Sequence, residues 1–406
     1  MPHRPMMCWC NGWPKVFEMW QSLSSSNPSS HSPRGALSGI RVVDLSRVLG
    51  GPFCTQILGD HGAEVLKLEP PTGDETRHWG PPFESGLASY FVGVNRNKTG
   101  LTLDLSHAEG RQFLRSLLVD ADVLIENFKT GTLEKWGLGY ETLKEAFPRL
   151  IHCRVSGFGA DGPLGGMPGY DACAQAMCGL MSVNGEKEAP PTRVGLPVVD
   201  MVTGLNATIA ILMALQERHQ SHLGQFLDIT LFDCAISLLH PHAANYFGSG
   251  NIPQRSGNAH PNIAPYETVS TAKGELFLAI GNDRQFKQLA IELGEPSLSQ
   301  DPRFLTNADR LANRPALHAC LKRLLNQSEA NTLAIKLLKA GVPAAPVLNV
   351  EEILHHPHTE HRGMVLDKDG YRGIASPVKL SRTPAQLRQL PPGFKALPQT
   401  PPTEHS

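Results

Sequence analysis

GIRVVDLSRVLGGPFCTQILGDHGAEVLKLEP, residues Gly39 to Pro70, is the stretch from which the architecture follows. Ile40 to Leu45 is a short apolar run of the kind that forms a buried strand, Gly50-Gly51-Pro52 opens a helix reaching about Asp60, and Ala63 to Leu68 reads as a second strand. Downstream, Leu101 to Leu105 is strand-like, Ser106 with Glu109 predicts a capping box for a helix through Leu118, and Asp122 to Glu126 and Leu150 to Val155 add strands. Strands alternating with helices predict an α/β fold with a Rossmann-like parallel sheet covered on both faces. Gly50-Gly51-Pro52 lacks the glycine spacing of a dinucleotide fingerprint, so the reading does not support NAD.

The chain has 406 residues. Single cores stop growing at roughly 250 to 300 residues, which predicts two domains. The second is expected to be a smaller α+β domain, from a strand at Glu275 to Ile280 and helices at Pro315 to Leu325 and Asn331 to Ala340. A formal net charge of -1 supplies no global field for nucleic acid or an anionic membrane. The longest apolar run, Ile209 to Leu215, falls short of the roughly 20 residues a membrane span needs, so none is expected. The eight cysteines form no CxxC pair, which points to reduced thiols in a cytosol-like compartment. Residues 1–35 are rich in Ser, Pro and His and form a disordered or targeting extension. A cytoplasmic protein is expected, or one of the mitochondrial matrix if that extension is a transit peptide.

The apolar run Leu196 to Val199 leads into Asp200 and then into a helical pattern, Met201 to Gln220. That places a carboxylate at or just before a helix N-terminus, where the macrodipole favours its ionised form by roughly 0.3 to 1 kcal/mol. Plain N-capping is the competing role, and spacing alone favours it. Asp171, after Gly169-Tyr170, reads either as a cap for the helix it begins or as an acidic neighbour of Asp200. Arg96 and Lys98 lie in an NRNK turn, and Lys129 and Lys135 follow the strand that ends at Glu126. His355, His356, His358 and His361 fit no closed zinc set and read as a polar helix end, so no metal is expected. Ser156 lacks the flanking glycines of a nucleophile elbow.

Four segments, Val42 to Arg77, Asn95 to Leu105 (NRNKTGLTLDL), Ala121 to Tyr140 and Ser156 to Ala176, together resemble the family III CoA-transferases, and the resemblance spans about Gly39 to Pro384. It implies transfer of CoA between carboxylic acids through an acyl-aspartate, with Asp200 as nucleophile and Asp171 beside it. Asn127, Phe128 and Lys135 fall where the family contacts CoA, with Arg47, Arg77, Asn95, Lys98 and Lys129 as neighbouring candidates. Arg255 to Glu267 resembles the family's mobile covering loop, from which Arg255 and His260 would take a distal substrate carboxylate. The resemblance further implies no permanently bound cofactor, acyl-CoA and small carboxylates as substrates, and an interlocked homodimer. Its domains would be a large CoA-binding domain over 36–220, a small one over 221–325 and a return segment over 326–406 that completes the large one. GYDACAQAMCGLM, HAANYFGSG and AHPNIAPYE look closest to the succinyl-CoA:glutarate branch. The alternatives are an α-methylacyl-CoA racemase, whose His-Asp pair is here Tyr170-Asp171, and a non-catalytic CoA-binding protein.

Overall fold

A computed structural model describes Trp20, residues 35–84 and residues 86–393, and divides the chain into two compact units. The large unit extends through Cys178, takes in Gly195–Leu238 and resumes at Gly363. The small unit comprises Gly179–Val194 and Leu239–Arg362.

In the large unit β1 (Arg41–Asp44), α1 (Gly50–Asp60) and β2 (Glu64–Glu69) form the expected crossover, followed by β3 (Lys98–Thr102), α2 (Ala108–Leu118), β4 (Val123–Glu126) and β5 (Ile151–Ser156). Then come α3 (Asp171–Met177), α4 (Val198–Ser221), β6 (Phe226–Thr230) and α5 (Leu231–Ser237). The six strands are all parallel, in the order β3-β2-β1-β4-β5-β6. Alternation along each strand serves two cores. Val42, Val65, Val123 and Ile125 pack with Cys54 and Leu58 of α1 and Ile211 of α4, whereas Val43, Leu66 and Leu124 pack with Phe113, Leu114 and Leu117 of α2. The chain winds outward from β1 in both directions, so the loops after β1 and β4 diverge and leave a crevice at the carboxyl edge of the sheet.

Several expectations give way. Leu101 to Leu105 is shifted, because the strand begins at Lys98. No capping box opens α2: Ser106 turns back, its N–H and Oγ donating to Asp104 Oδ1 at 2.8 and 2.6 Å. The segment around Ile209 belongs to a 24-residue helix that is long and apolar enough to cross a membrane by length and composition. Small residues spread along α4 hide that apolarity from a search for unbroken runs. It packs on α1, β5, β6 and α5.

The domain boundaries also differ from those expected. Residues 221–238 stay with the large unit because β6 pairs with β5. In the small unit, β7 (Tyr266–Ser270), β8 (Glu275–Ala279) and β9 (Ala344–Pro346) form an antiparallel sheet, so the chain beyond 325 is still building this unit and the return starts at Gly363. Its core gathers Val269, Leu276, Leu278, Phe286, Leu317 and Leu337. Most of the expected extension lies outside the described residues. Trp20, however, is buried, with its Nε1 donating to Leu117 O at 3.3 Å and Arg41 over its ring, so a disordered reading fails at that position.

Candidate active site

The crevice holds a cavity of about 220 Å³, lined by the loops after β1 and β4, the end of β5, the turn before α3, and Asp200. The first loop places Arg47, Val48, Leu49 and Gly50 on the wall. Val48 adopts φ +69°, which a β-branched side chain resists at a cost of about 1–3 kcal/mol. Such strain persists only where the surroundings over-determine it. One such constraint is Asn127, whose Nδ2 donates to Arg47 O at 2.7 Å while its Oδ1 accepts from Arg47 N at 2.9 Å, tying the two loops across the switch in strand order. Beneath the second loop, Glu126 accepts from Phe128 N at 2.8 Å and from Arg154 Nε at 2.5 Å.

Asp200 is the third residue of α4, inside the first turn and therefore not its N-cap. The capping is done by Asp171, the first residue of α3: its Oδ2 accepts from Val199 N at 2.8 Å and from Asp200 N at 3.2 Å, and its Oδ1 from Gln175 Nε2 at 2.6 Å. Of the two readings of Asp171, the cap for the helix it begins is revised and the position beside Asp200 is kept. It is an acidic neighbour of Asp200, and it caps the other helix. Because Asp171 takes these amides, the helix terminus does not hold Asp200 ionised as the sequence suggested. Burial, followed by the charge of Asp171, pushes the Asp200 carboxyl up from 3.8 to about 7. Burial and the same two carboxylates, with Asp74, push the Tyr90 phenol to about 12, so it stays a proton donor in this neighbourhood.

Backbone contact fixes Asp200 from the other side. A Cβ on Gly204 would stand 2.6 Å from Gly50 O, so glycine is required where α4 meets the start of α1. A Cβ on Gly50 would lie 3.4 Å from Asp200 O and 3.8 Å from its Oδ1.

Of the CoA candidates, Arg47, Asn127, Phe128 and Lys129 line the cavity. Arg77, Asn95 and Lys98 do not; they are buried and engaged internally. Arg77 Nε and Nη2 donate to Glu69 at 2.7 and 2.6 Å, and its guanidinium lies 3.8 Å from the Phe91 ring centroid. Asn95 donates to Phe91 O and accepts from Lys98. Lys98 pairs with Asp44, and burial pushes its ammonium down to about 8. Lys135 is exposed on the helix Thr132–Lys135, outside the lining. In the small unit, Arg255 spends its guanidinium on the carbonyls of Glu186, Lys187 and Ala189, and His260 Nδ1 accepts from Asn262 N at 3.1 Å. The expected substrate role of Arg255 thus meets a local clamp.

Sequence reasoning passed over Val48, Glu75, Met167 and Leu231 of the lining, together with Asp44 and Lys67 beneath it. Charges set within the apolar strands RVVD and EVLKLE were the available signal for the last two. Among the described residues, no group of three or more His, Cys, Asp or Glu side chains is placed to hold a metal ion.

Comparison with known proteins gives consistent matches. The family model described as CoA-transferase family III matches residues 37–396. A succinate–glutarate CoA-transferase of Agrobacterium fabrum is 40% identical over 368 residues, covering 88% of this chain and 92% of the relative. An acetyl-CoA:oxalate CoA-transferase of Acetobacter aceti is 39% identical over 351 residues, covering 86% and 90%. A crystal structure of a CaiB/BaiF family protein from Brucella suis superposes with a TM-score of 0.81 at 44% identity, covering 89% of this chain and 97% of that one.

Proposed function

Since this chain belongs to CoA-transferase family III, we propose that it moves CoA from an acyl-CoA, succinyl-CoA in the first instance, to a small dicarboxylic acid, with Asp200 as the covalent nucleophile. The observation that carries the reading is the Asp200 carboxyl in the cavity at the sheet's carboxyl edge, backed by Asp171 and wedged against Gly50. Relatives named for glutarate and oxalate support a dicarboxylate acceptor.

The chemistry balances without a cofactor. An Asp200 oxygen attacks the thioester carbonyl, the C–S bond breaks, and a mixed anhydride and CoA thiolate result. The thiolate attacks Asp200 Cγ, expelling the donor acid as its carboxylate and leaving an aspartyl-CoA thioester. The acceptor carboxylate then attacks Cγ, releases the thiolate and forms a second anhydride. Attack of the thiolate on the acceptor's carbonyl yields the new acyl-CoA and restores Asp200. Arg47 and Lys129 are the cations lining the cavity that suit the phosphates of CoA, and Phe128 offers an apolar face. Only ionised Asp200 is a nucleophile, so in the free enzyme kcat/KM should rise with pH through about 7.

Two further parts of the reading rest on the family and on surface chemistry. On α4 the exposed side chains Leu205, Ile209, Leu212 and Met213 fall on one stripe, which supports burial against a second copy in an interlocked homodimer. The six described cysteines are all free, which supports a reducing compartment, cytoplasm or mitochondrial matrix.

Incubation with succinyl-CoA and a panel of acids in heavy water tests the function. CoA transfer predicts new thioesters of dicarboxylates without deuterium at Cα. Deuterium exchange without an acceptor would instead make the enzyme a racemase, and ligand binding with neither would make it a non-catalytic CoA-binding protein.

A further inference from the structure

The segment Ser46 to Pro52, a loop through Leu49 that runs into the first turn of α1, carries the strained Val48 and the Gly50 carbonyl that meets the Asp200 helix. Under it lie four charged side chains with no exposed surface: Asp44, Lys67, Asp74 and Lys98. Lys67 Nζ donates to Ser46 O at 2.8 Å and to Asp74 Oδ2 at 3.0 Å. Lys98 Nζ donates to Pro52 O at 2.8 Å, to Asn95 Oδ1 at 2.9 Å and to Asp44 Oδ2 at 3.2 Å. Asp44 also accepts from Ser46 N at 2.9 Å, Ser46 Oγ at 2.5 Å and Thr55 Oγ1 at 2.6 Å. The start of the loop, at Ser46, and the helix turn it leads into, at Pro52, therefore each hang from a buried ammonium group. The ends are also folded onto one another, for a Cβ on Gly51 would stand 2.3 Å from Ser46 Cβ.

An ammonium group has three donors, and Lys98 has spent all of them inside the protein. It has none left for a phosphate. Buried ion pairs are seldom more stabilising than apolar side chains of the same volume, so stability alone is a weak reason for two of them here. Directed donors aimed at the Ser46 and Pro52 carbonyls are something an apolar side chain cannot supply.

We propose that Asp44, Lys67 and Lys98 are positioning residues for the transfer reaction, fixing the Ser46–Pro52 segment against the Asp200 helix without touching substrate. The proposal rests on the reading of Asp200 as nucleophile. Displacing the loop would move the Gly50 backbone that bounds the carboxylate and release Val48 from its left-handed conformation, so the loss should fall on kcat.

The test compares wild type, Lys98→Met, the double variant Asp44→Asn/Lys98→Met, and Ser46→Ala. Each is assayed for transfer from succinyl-CoA to glutarate, for CoA affinity by calorimetry, and for thermal stability. Lys98→Met should lower kcat by about 100-fold, the effect of misplacing a reacting group, with CoA affinity of the folded protein unchanged. The double variant leaves no carboxylate unpaired and should regain stability, yet its kcat should stay low because Pro52 O has still lost its tie to β3 and keeps only the local donor Thr55 Oγ1 at 3.2 Å. Ser46→Ala keeps every charge paired and should lose about tenfold in kcat.

A double variant restored in both stability and kcat overturns the proposal, because the lysine would then only balance charge. Weaker CoA binding by Lys98→Met at unchanged kcat overturns it as well, by making Lys98 a CoA ligand. If the Lys98 variants do not fold, Ser46→Ala decides, and a kcat equal to wild type refutes the clamp. A wild-type protein that transfers no CoA and never acylates Asp200 sinks the underlying functional reading, whatever the variants do.

Discussion

Two turns of the large unit each start on an asparagine and run into Lys-Thr-Gly, Asn95-Arg96-Asn97-Lys98-Thr99-Gly100 and Asn127-Phe128-Lys129-Thr130-Gly131, and they have opposite fates. The first enters the amino end of β3 and is turned inward: Arg96 grips Asp60 through Nε and Nη2 at 2.8 and 2.6 Å, and Asn97 Oδ1 accepts from Arg388 N and Gln389 N of the returning chain. The second leaves the carboxyl end of β4 and lines the cavity. Parallel α/β sheets bind ligands beyond their carboxyl ends, so the end of the strand on which a turn lies outweighs its basic residues. A cation at the wrong end finds a carboxylate partner and becomes architecture.

The comparison breaks most readily at Arg96. Arg96→Ala strands Asp60 in the interior and should cost about 3–5 kcal/mol in denaturant unfolding. A stable Arg96→Ala protein with weakened CoA binding would reverse the roles assigned to the two turns.

Asp200→Asn should show the opposite sign. In the folded protein the Asp200 carboxyl titrates near 7 rather than 3.8, so the folded state holds a proton that the unfolded chain releases. The stability associated with that proton is complete below about pH 4 and gone above about pH 7. Relative to wild type, Asp200→Asn should therefore gain about 1–3 kcal/mol at pH 8, allowing for the screening of a half-buried carboxylate, and nothing near pH 4. A gain independent of pH would show that the carboxyl is not strained by its surroundings.

Asn127 joins architecture and site, and its removal should register in both. Asn127→Ala deletes two hydrogen bonds to the Arg47 backbone, for about 1–2 kcal/mol, and should weaken CoA binding measured by calorimetry. The smallest effect belongs to Lys129. Lys129→Ala should leave stability within about 0.5 kcal/mol while reducing CoA affinity about fivefold, a loss that fades at high salt.

Much of the fold was legible because it is written in local periodicity. The Gly50–Asp60 helix and the strands around it follow from apolar runs bounded by glycine, and Glu275–Ala279 from the same signal in the small unit. What escaped depends on partners distant in sequence. The domain boundary at 325 lost to the pairing of β9 with β8, whereas the Ser106 capping box was a local miss, lost to an aspartate two residues away. At the site, position in the chain found Asp200 and Asp171 but mistook what each does to the other. Spacing shows that two carboxylates neighbour a helix start; which of them takes the amides is settled by the packing of α3 against α4. The same limit applies to Lys98, whose partner Asp44 lies 54 residues earlier.

Succinyl-CoA added to the wild-type enzyme, quenched with hydroxylamine and followed by peptide mass analysis, tests the central claim most directly. The account predicts a hydroxamate at Asp200, absent when acyl-CoA is withheld. Efficient CoA transfer with no modification at that position, or a modification at another carboxylate, would contradict it.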